Sequence, residues 1–195
     1  MFGRVRVLLI GGTSHVGKST VAAELATRLG FEHRSTDYLA RHPGRPWRTP
    51  EREVPPHVAE HYSTLTVDEL IVSVLAHYER LWPRIEELIR THPGLVLEGS
   101  ALWPARVASL TVPDMAAVWL TADRSVTRTR IHASGNYTNA TADERALMDT
   151  FAARTARFQE LLMEDVKRLG LPHVHVDGRS ELADLVLQTG QSKAN

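Results

Sequence analysis

Residues 5–10, Val-Arg-Val-Leu-Leu-Ile, are apolar at all but one position and stop at Gly11-Gly12. Such a run is too short for a membrane span or a signal segment and suits a strand buried on both faces. From Lys18 to Leu29 the apolar residues recur at helical spacing, and Gly30 ends the pattern as a left-handed helix cap would. A short second strand fits residues 32–36. Thr66-Val-Asp-Glu69 is a capping box that opens the helical series Leu70, Ile71, Val74, Leu75, Tyr78, Leu81. Pro83 falls inside that series, so the helix is expected to kink there or restart. Residues 95–97 predict a third strand, 116–120 a fourth, and a helix follows from about Ser125. Residues 134–143, with Gly135, Asn136 and Asn139, predict a mobile loop. A long helix is expected from Asp143 to about Leu169, with Leu147, Phe151, Phe158, Leu161 and Leu162 near one face. The pattern closes with a strand over 173–176 and a helix over 180–188. No internal repeat interrupts it.

Strands and helices alternate throughout, which predicts an α/β fold: a five-stranded parallel sheet with helices on both faces, three layers in all. The 195 residues suffice for one domain with a sizeable core. Two segments depart from the alternation. Residues 38–58 carry Pro43, Pro46, Pro50, Pro55 and Pro56 among charges, yet His42, Trp47 and Tyr62 suit an ordered excursion better than a tether. We therefore expect a substrate-binding excursion over about 38–92 and a lid over about 131–143.

Composition narrows the function by exclusion. The 23 basic residues balance the 23 acidic ones, so no electrostatic case exists for nucleic acid or an anionic membrane. There is no cysteine, which removes disulfides, thiolate metal sites and cysteine nucleophiles together. The histidines lack paired metal-ligand spacing, so no zinc site is assigned. A cytoplasmic protein, monomeric or homodimeric, fits these features.

Gly12-Thr13-Ser14-His15-Val16-Gly17-Lys18-Ser19 is a P-loop, placed between strand 1 and helix 1 as its mechanism requires. Glycines let backbone N–H groups wrap an anionic phosphate, and the helix N-terminus, through Thr20, adds partial positive charge. Lys18 would reach the β- and γ-phosphates and the Ser19 hydroxyl would coordinate Mg²⁺. Only 3 of the 23 basic residues are lysines, so a lysine in this slot is informative. The chain is expected to bind a nucleoside triphosphate in a P-loop NTPase fold.

Ligands of a parallel sheet gather at the carboxyl ends of its strands. Asp37 ends strand 2, where it could accept a proton from a substrate hydroxyl, hold Mg²⁺ through water, or cap the segment beginning at Tyr38. Glu98 ends strand 3 as a Walker B carboxylate would; it could hold the metal, bind a substrate hydroxyl, or lie on the surface. Asp177-Gly178 ends strand 5, with Gly178 bordering the nucleotide. Arginines suit the charge on a transferring phosphoryl group. Arg124, Arg128 and Arg130 enter the polar loop and Arg154 and Arg157 leave it, the latter pair three apart and so on one face. His42 and Arg45, beside Trp47, could grip a small acceptor; alternatively Trp47 packs beneath the excursion and Arg45 is exposed. The His15 side chain is expected to point away from phosphate.

With these residues in place the chain resembles the small P-loop kinases, among them nucleoside monophosphate, shikimate and gluconate kinases and chloramphenicol phosphotransferase. The resemblance follows element order along the whole chain and is residue-specific only at the P-loop. Ser35-Thr-Asp37 through His42-Pro-Gly-Arg-Pro-Trp47, with Leu97-Glu-Gly-Ser-Ala-Leu-Trp103, is also similar to bacterial proteins described as ATPases or 2-phosphoglycerate kinases. The resemblance implies ATP and Mg²⁺, with transfer of the γ-phosphoryl to a hydroxyl of a small molecule. It implies Asp37 as the base and, ten residues beyond Val118-Trp-Leu120, Arg130 as the lid arginine. No Asp-Gly-Phe-Pro-type segment follows strand 3 and no second lid arginine stands near Ser134, which counts against a nucleoside monophosphate acceptor. The competing expectation is a nucleotide-binding switch or ATPase that acts through a partner; a switch would not need the carboxylate of Asp37.

Overall fold

The computed structural model describes residues 5–40, 42, 44–49, 52–176 and 182–191. Five strands, β1 (Val7–Gly12), β2 (Glu32–Ser35), β3 (Leu95–Glu98), β4 (Met115–Thr121) and β5 (His173–His175), form one sheet in the order β2-β3-β1-β4-β5. Every pairing is parallel. Around it lie α1 (Lys18–Leu29), α2 (Pro56–Thr64), α3 (Val67–Thr91), α4 (Pro104–Ala108), α5 (Arg124–Ser134), α6 (Ala142–Arg168) and α7 (Leu182–Gln191). The expected alternation is present, with two further short helices, α2 and α4, each begun by proline in its first turn.

β1 is buried along its whole length and alternates its side chains between two cores. Leu8 and Ile10 pack with Val118, Leu120 and the apolar face of α1 and α7, while Val7 and Leu9 pack with Trp119 and residues of α3 and α6. Each large side chain removed from water here contributes about 1.5–3 kcal/mol. A third cluster, Trp47, Val58, Tyr62, Leu70, Ile131, Met148 and Phe151, roofs the excursion onto α5 and α6.

Local signals set the ends. At the start of α3, Glu69 N–H donates to Thr66 Oγ1 (3.3 Å) and Thr66 N–H to the Glu69 carboxylate (2.8 Å); Thr141 and Glu144 repeat the pair at α6. The helix expected to kink or restart at Pro83 does not restart: one helix runs from Val67 to Thr91 with Pro83 inside it. Proline removes one backbone bond, and burial of Leu81, Trp82, Ile85 and Ile89 on both sides of it holds the two halves in one helix. The polar segment after α5 contains a short 3-10 turn, Tyr137–Asn139, with side-chain contacts to the flanking helices. Tyr137 stacks on His132 (3.8 Å, 13°) and donates to Asp149 (2.8 Å). Arg145 donates to the carbonyls of Tyr137 and Thr138 (3.1 and 3.2 Å).

Strand register aligns the polar strand ends. Ile10 lies opposite Glu98, and Glu98 opposite Ser35, so the end of β1, Glu98 and the turn after Ser35 sit side by side. Gly99 makes this possible: a Cβ there would lie 1.8 Å from Thr36 Oγ1. Gly99→Ala should therefore force β3 away from the β2 turn and cost about 2–3 kcal/mol. The urea-unfolding midpoint checks this; a midpoint equal to the wild type's would contradict it.

Candidate functional site

The chain turns sharply at the end of β1 because two glycines leave it room. A Cβ on Gly11 would meet the Trp119 indole at 2.4 Å, and one on Gly12 the Leu120 carbonyl at 2.5 Å. Gly12 (φ 135°), His15 (φ 61°) and Gly17 (φ 107°) all adopt positive φ, the curl that turns successive N–H groups inward as an anion cradle. Gly17 is also the N-cap of α1, and no side chain caps that helix end; the N–H groups of its first turn are left for a ligand.

Lys18 is 8% exposed. Its ammonium donates to the Thr13 carbonyl (2.8 Å) and to Ser100 Oγ (3.4 Å). Burial lowers its pKa, and Glu98 and Asp37 act in the opposite direction. Ser19 Oγ donates to Glu98 Oε1 (3.0 Å). A hydroxyl and a buried carboxylate in contact, next to a phosphate cradle, are oxygen donors of the kind Mg²⁺ takes. Among the described residues, no group of three or more His, Asp or Glu is placed to hold a metal ion.

Asp37 lies in a short 3-10 turn, Thr36–Tyr38, and it does not cap that turn: Ser35 Oγ accepts from the Asp37 N–H (3.3 Å). The capping alternative therefore falls to Ser35. The Asp37 carboxylate is exposed and lines a cleft of about 910 Å³ shared with the P-loop residues from Ser14 to Thr20. His42, Arg45, Glu98, Ser100, Tyr78, Arg130 and Arg154 line the same cleft.

Arg130 reaches back from α5 to donate to the carbonyls of His15 and Val16 (3.1 and 3.2 Å), which places its guanidinium at the P-loop. Arg128 pairs instead with Asp149 (3.3 Å). Arg154 and Arg157, expected together, part company. Arg154 is 6% exposed in the cleft wall, whereas Arg157 is half-buried and faces Glu160 (3.2 Å) and Asp68 (4.0 Å). Arg157 is not among the residues lining the cleft, because three positions along a helix rotate a side chain by less than a full turn. Gly178 and Asp177 lie outside the described residues.

The excursion supplies the opposite wall. Trp47 is buried at 1% exposure against Phe151 (5.0 Å) and His15 (5.8 Å), so it packs beneath the excursion, while Arg45 is exposed. The His15 ring packs against Trp47 and Phe151 (5.8 and 6.1 Å between ring centres), and Nε2 shares a hydrogen bond with Ser134 Oγ (3.2 Å). His42 shares one with Ser73 Oγ (2.9 Å) and meets His61 and His77 at 5.1 and 5.2 Å between ring centres. Sequence spacing gave no hint of this trio, since its members come from the excursion, α2 and α3. Tyr78 and Ser100 were also missed. Tyr78 carries the helical apolar period of α3 and looks like core; Ser100 has no pattern of its own.

Comparisons agree on the fold. The chain is similar to a gluconokinase from Sinorhizobium meliloti 1021 at 22% identity (TM-score 0.53, covering 98% of this chain and 94% of that one). It is similar to a shikimate kinase from Bacteroides thetaiotaomicron at 13% identity (TM-score 0.52, 96% and 97%). It is also similar to deoxyadenosine kinase from M. mycoides, solved with bound dATP, at 15% identity (TM-score 0.50, 94% and 97%). No protein-family model and no curated protein matches the chain. At these identities the likeness is one of fold: a three-layer α/β architecture around a five-stranded parallel sheet. Among the described residues, no helix is long and apolar enough to cross a membrane.

Two histidines of the site carry a pH signature. Burial, then Arg45, Lys18 and Arg130, pushes His15 down to about 4. Burial, then Arg154, His61, His77 and Arg80, pushes His42 down to about 3. Unfolded, both take up protons near pH 6.5; folded, both stay neutral until far lower. The unfolded chain thus binds more protons below about 6.5, and stability should fall as pH drops from there towards 4. Melting temperature measured between pH 7.5 and 5 should decline, and less steeply in His42→Gln; parallel profiles would contradict the assignment for His42.

Proposed function

We propose that the chain is a phosphotransferase that moves the γ-phosphoryl group of MgATP to a hydroxyl of a small molecule. One observation carries the reading. A P-loop cradle with a buried lysine shares its cleft with a carboxylate, Asp37, that is engaged neither in capping nor in an ion pair among the described residues. A site that only bound nucleotide would have no use for an uncommitted carboxylate there. The kinase names of the solved proteins of like fold support the same class.

Each side chain then has one task. The N–H groups from Thr13 to Thr20 hold phosphate oxygens, and Val21, Val176 and Leu182, which also line the cleft, offer apolar surface to the base. Ser19 and Glu98 would hold Mg²⁺, which supplies charge neutralisation across the β- and γ-phosphates when bound. Lys18 gives up its bond to the Thr13 carbonyl for phosphate oxygens, and Arg130 adds a second cation. Asp37 orients the acceptor hydroxyl and takes its proton as the new oxygen–phosphorus bond forms and the bond to the β-bridging oxygen breaks.

ATP consumption across a library of hydroxylated metabolites and antibiotics tests the proposal; turnover with one acceptor class is expected. Hydrolysis indifferent to every acceptor would favour a nucleotide switch. With the acceptor in hand, Lys18→Ala should abolish transfer, and turnover near that of the wild type would contradict the reading.

Asp37→Asn keeps size and removes the proton acceptor. Positioned general bases contribute about 10²–10⁴-fold, and loose phosphoryl-transfer transition states draw on the lower end. Single-turnover rates should fall about 10²-fold with ATP affinity unchanged. A loss below about tenfold would leave Asp37 an orienting residue only.

A further inference from the structure

Among the described residues, Arg154 is a buried cation without a counter-ion. At 6% exposure it makes no hydrogen bond or ion pair with any described residue, and its Nε is both shielded from solvent and unpartnered. Its guanidinium lies over the face of Phe151, 5.6 Å from the ring centre. The other groups that feel its charge are His42, His61, Tyr62 and Tyr78. His42 titrates at about 3 and Tyr78 is raised to about 12, so both are neutral at working pH. Several of these neutral groups are short of partners as well: His42 Nδ1, His61 Nε2 and Tyr62 Oη are buried and unbonded, as is His77 Nε2 beside them.

Burying a guanidinium in such a box is costly unless something anionic joins it. The two carboxylates at the phosphate end, Asp37 and Glu98, form no ion pair with Arg154, and Glu98 is engaged by Ser19. Among the described residues the cleft is lined by five cations, Lys18, Arg45, Arg52, Arg130 and Arg154, against three carboxylates, Glu24, Asp37 and Glu98. A nucleotide answers to the P-loop cations. It leaves Arg154, on α6 at the wall formed with Phe151 and Tyr78, still unmatched.

We infer that the acceptor is an oxyanion-bearing alcohol whose carboxylate or phosphate group docks on Arg154. This rests on the kinase reading and deepens it. The guanidinium takes a planar or tetrahedral oxyanion through parallel N–H donors. His42, which lines the same cleft and is packed against His61 and His77, contributes a neutral donor beside it. Neutral sugars and nucleosides would leave the buried charge unanswered and be rejected, as sites built to pair a polar group reject ligands that lack it.

The test separates binding from turnover. With the P-loop saturated by Mg²⁺ and the non-hydrolysable analogue AMP-PNP, calorimetry is run with inorganic phosphate, D-tartrate and erythritol. At least one anion should bind the wild type and bind Arg154→Met at least tenfold more weakly, while erythritol gives no signal; which anion binds separates phosphate from carboxylate. No anion binding, or binding unchanged in Arg154→Met, overturns the inference. Without ligand, Arg154→Met should melt at or above the wild-type temperature, because it removes an unpaired buried charge. A melt several degrees lower would show that the guanidinium serves the fold and would also overturn it. AMP-PNP affinity, measured first, tests the P-loop reading on its own. Turnover of neutral sugars or nucleosides alone would leave the kinase standing and defeat the oxyanion acceptor.

Discussion

A buried ammonium organises this molecule. Lys18 sits almost out of water, where a charged group is disfavoured, and three separate pieces of chain supply what keeps it there. The curled loop after β1 gives the Thr13 carbonyl, the turn after β3 gives Ser100, and Glu98 and Asp37 at the ends of β3 and β2 oppose the effect of burial. Those pieces meet because the parallel register sets Ile10 beside Glu98 and Glu98 beside Ser35. The close approach of Gly99 to Thr36 then closes the gap. The sheet is thus less a support beneath the site than the device that converges its charges.

The same cleft separates two kinds of cation by their surroundings. Lys18 and Arg130 rest on P-loop carbonyls, weak partners that a phosphate oxygen can replace with little rearrangement. Arg154 rests on the Phe151 ring and, among the described residues, has no hydrogen-bond partner to exchange. Cations that are provisionally satisfied suit a ligand that arrives and leaves in each cycle. A cation left unmatched suits recognition, because only a ligand of opposite charge relieves it.

The sheet, its parallel sense and the P-loop were legible in the chain because each rests on local patterning: an apolar run, a glycine stop, a capping box. The position of Arg130 against the P-loop carbonyls was suggested only by a resemblance in spacing. What was not legible depends on contacts far apart in sequence. The burial of Trp47 needs Phe151, more than a hundred residues away, and the His42–His61–His77 cluster needs α2 and α3 to fold over the excursion. Arg154 and Arg157 look equivalent in sequence, and only the packing of α6 tells the buried one from the surface one. Nothing local in the polar loop announces that Tyr137 will stack on His132 and bond Asp149.

The state of Lys18 itself can be observed directly. The chain has three lysines, few enough that selective ¹³Cε/¹⁵Nζ labelling resolves each ammonium by NMR, with Lys18→Arg giving the assignment. In the nucleotide-free protein Lys18 should titrate below the ordinary lysine range, as its burial dictates. Addition of Mg²⁺ and AMP-PNP should raise it, because an opposing charge at contact favours the protonated form. A Lys18 signal that titrates like the other two lysines and ignores the nucleotide would contradict a buried ammonium waiting for phosphate.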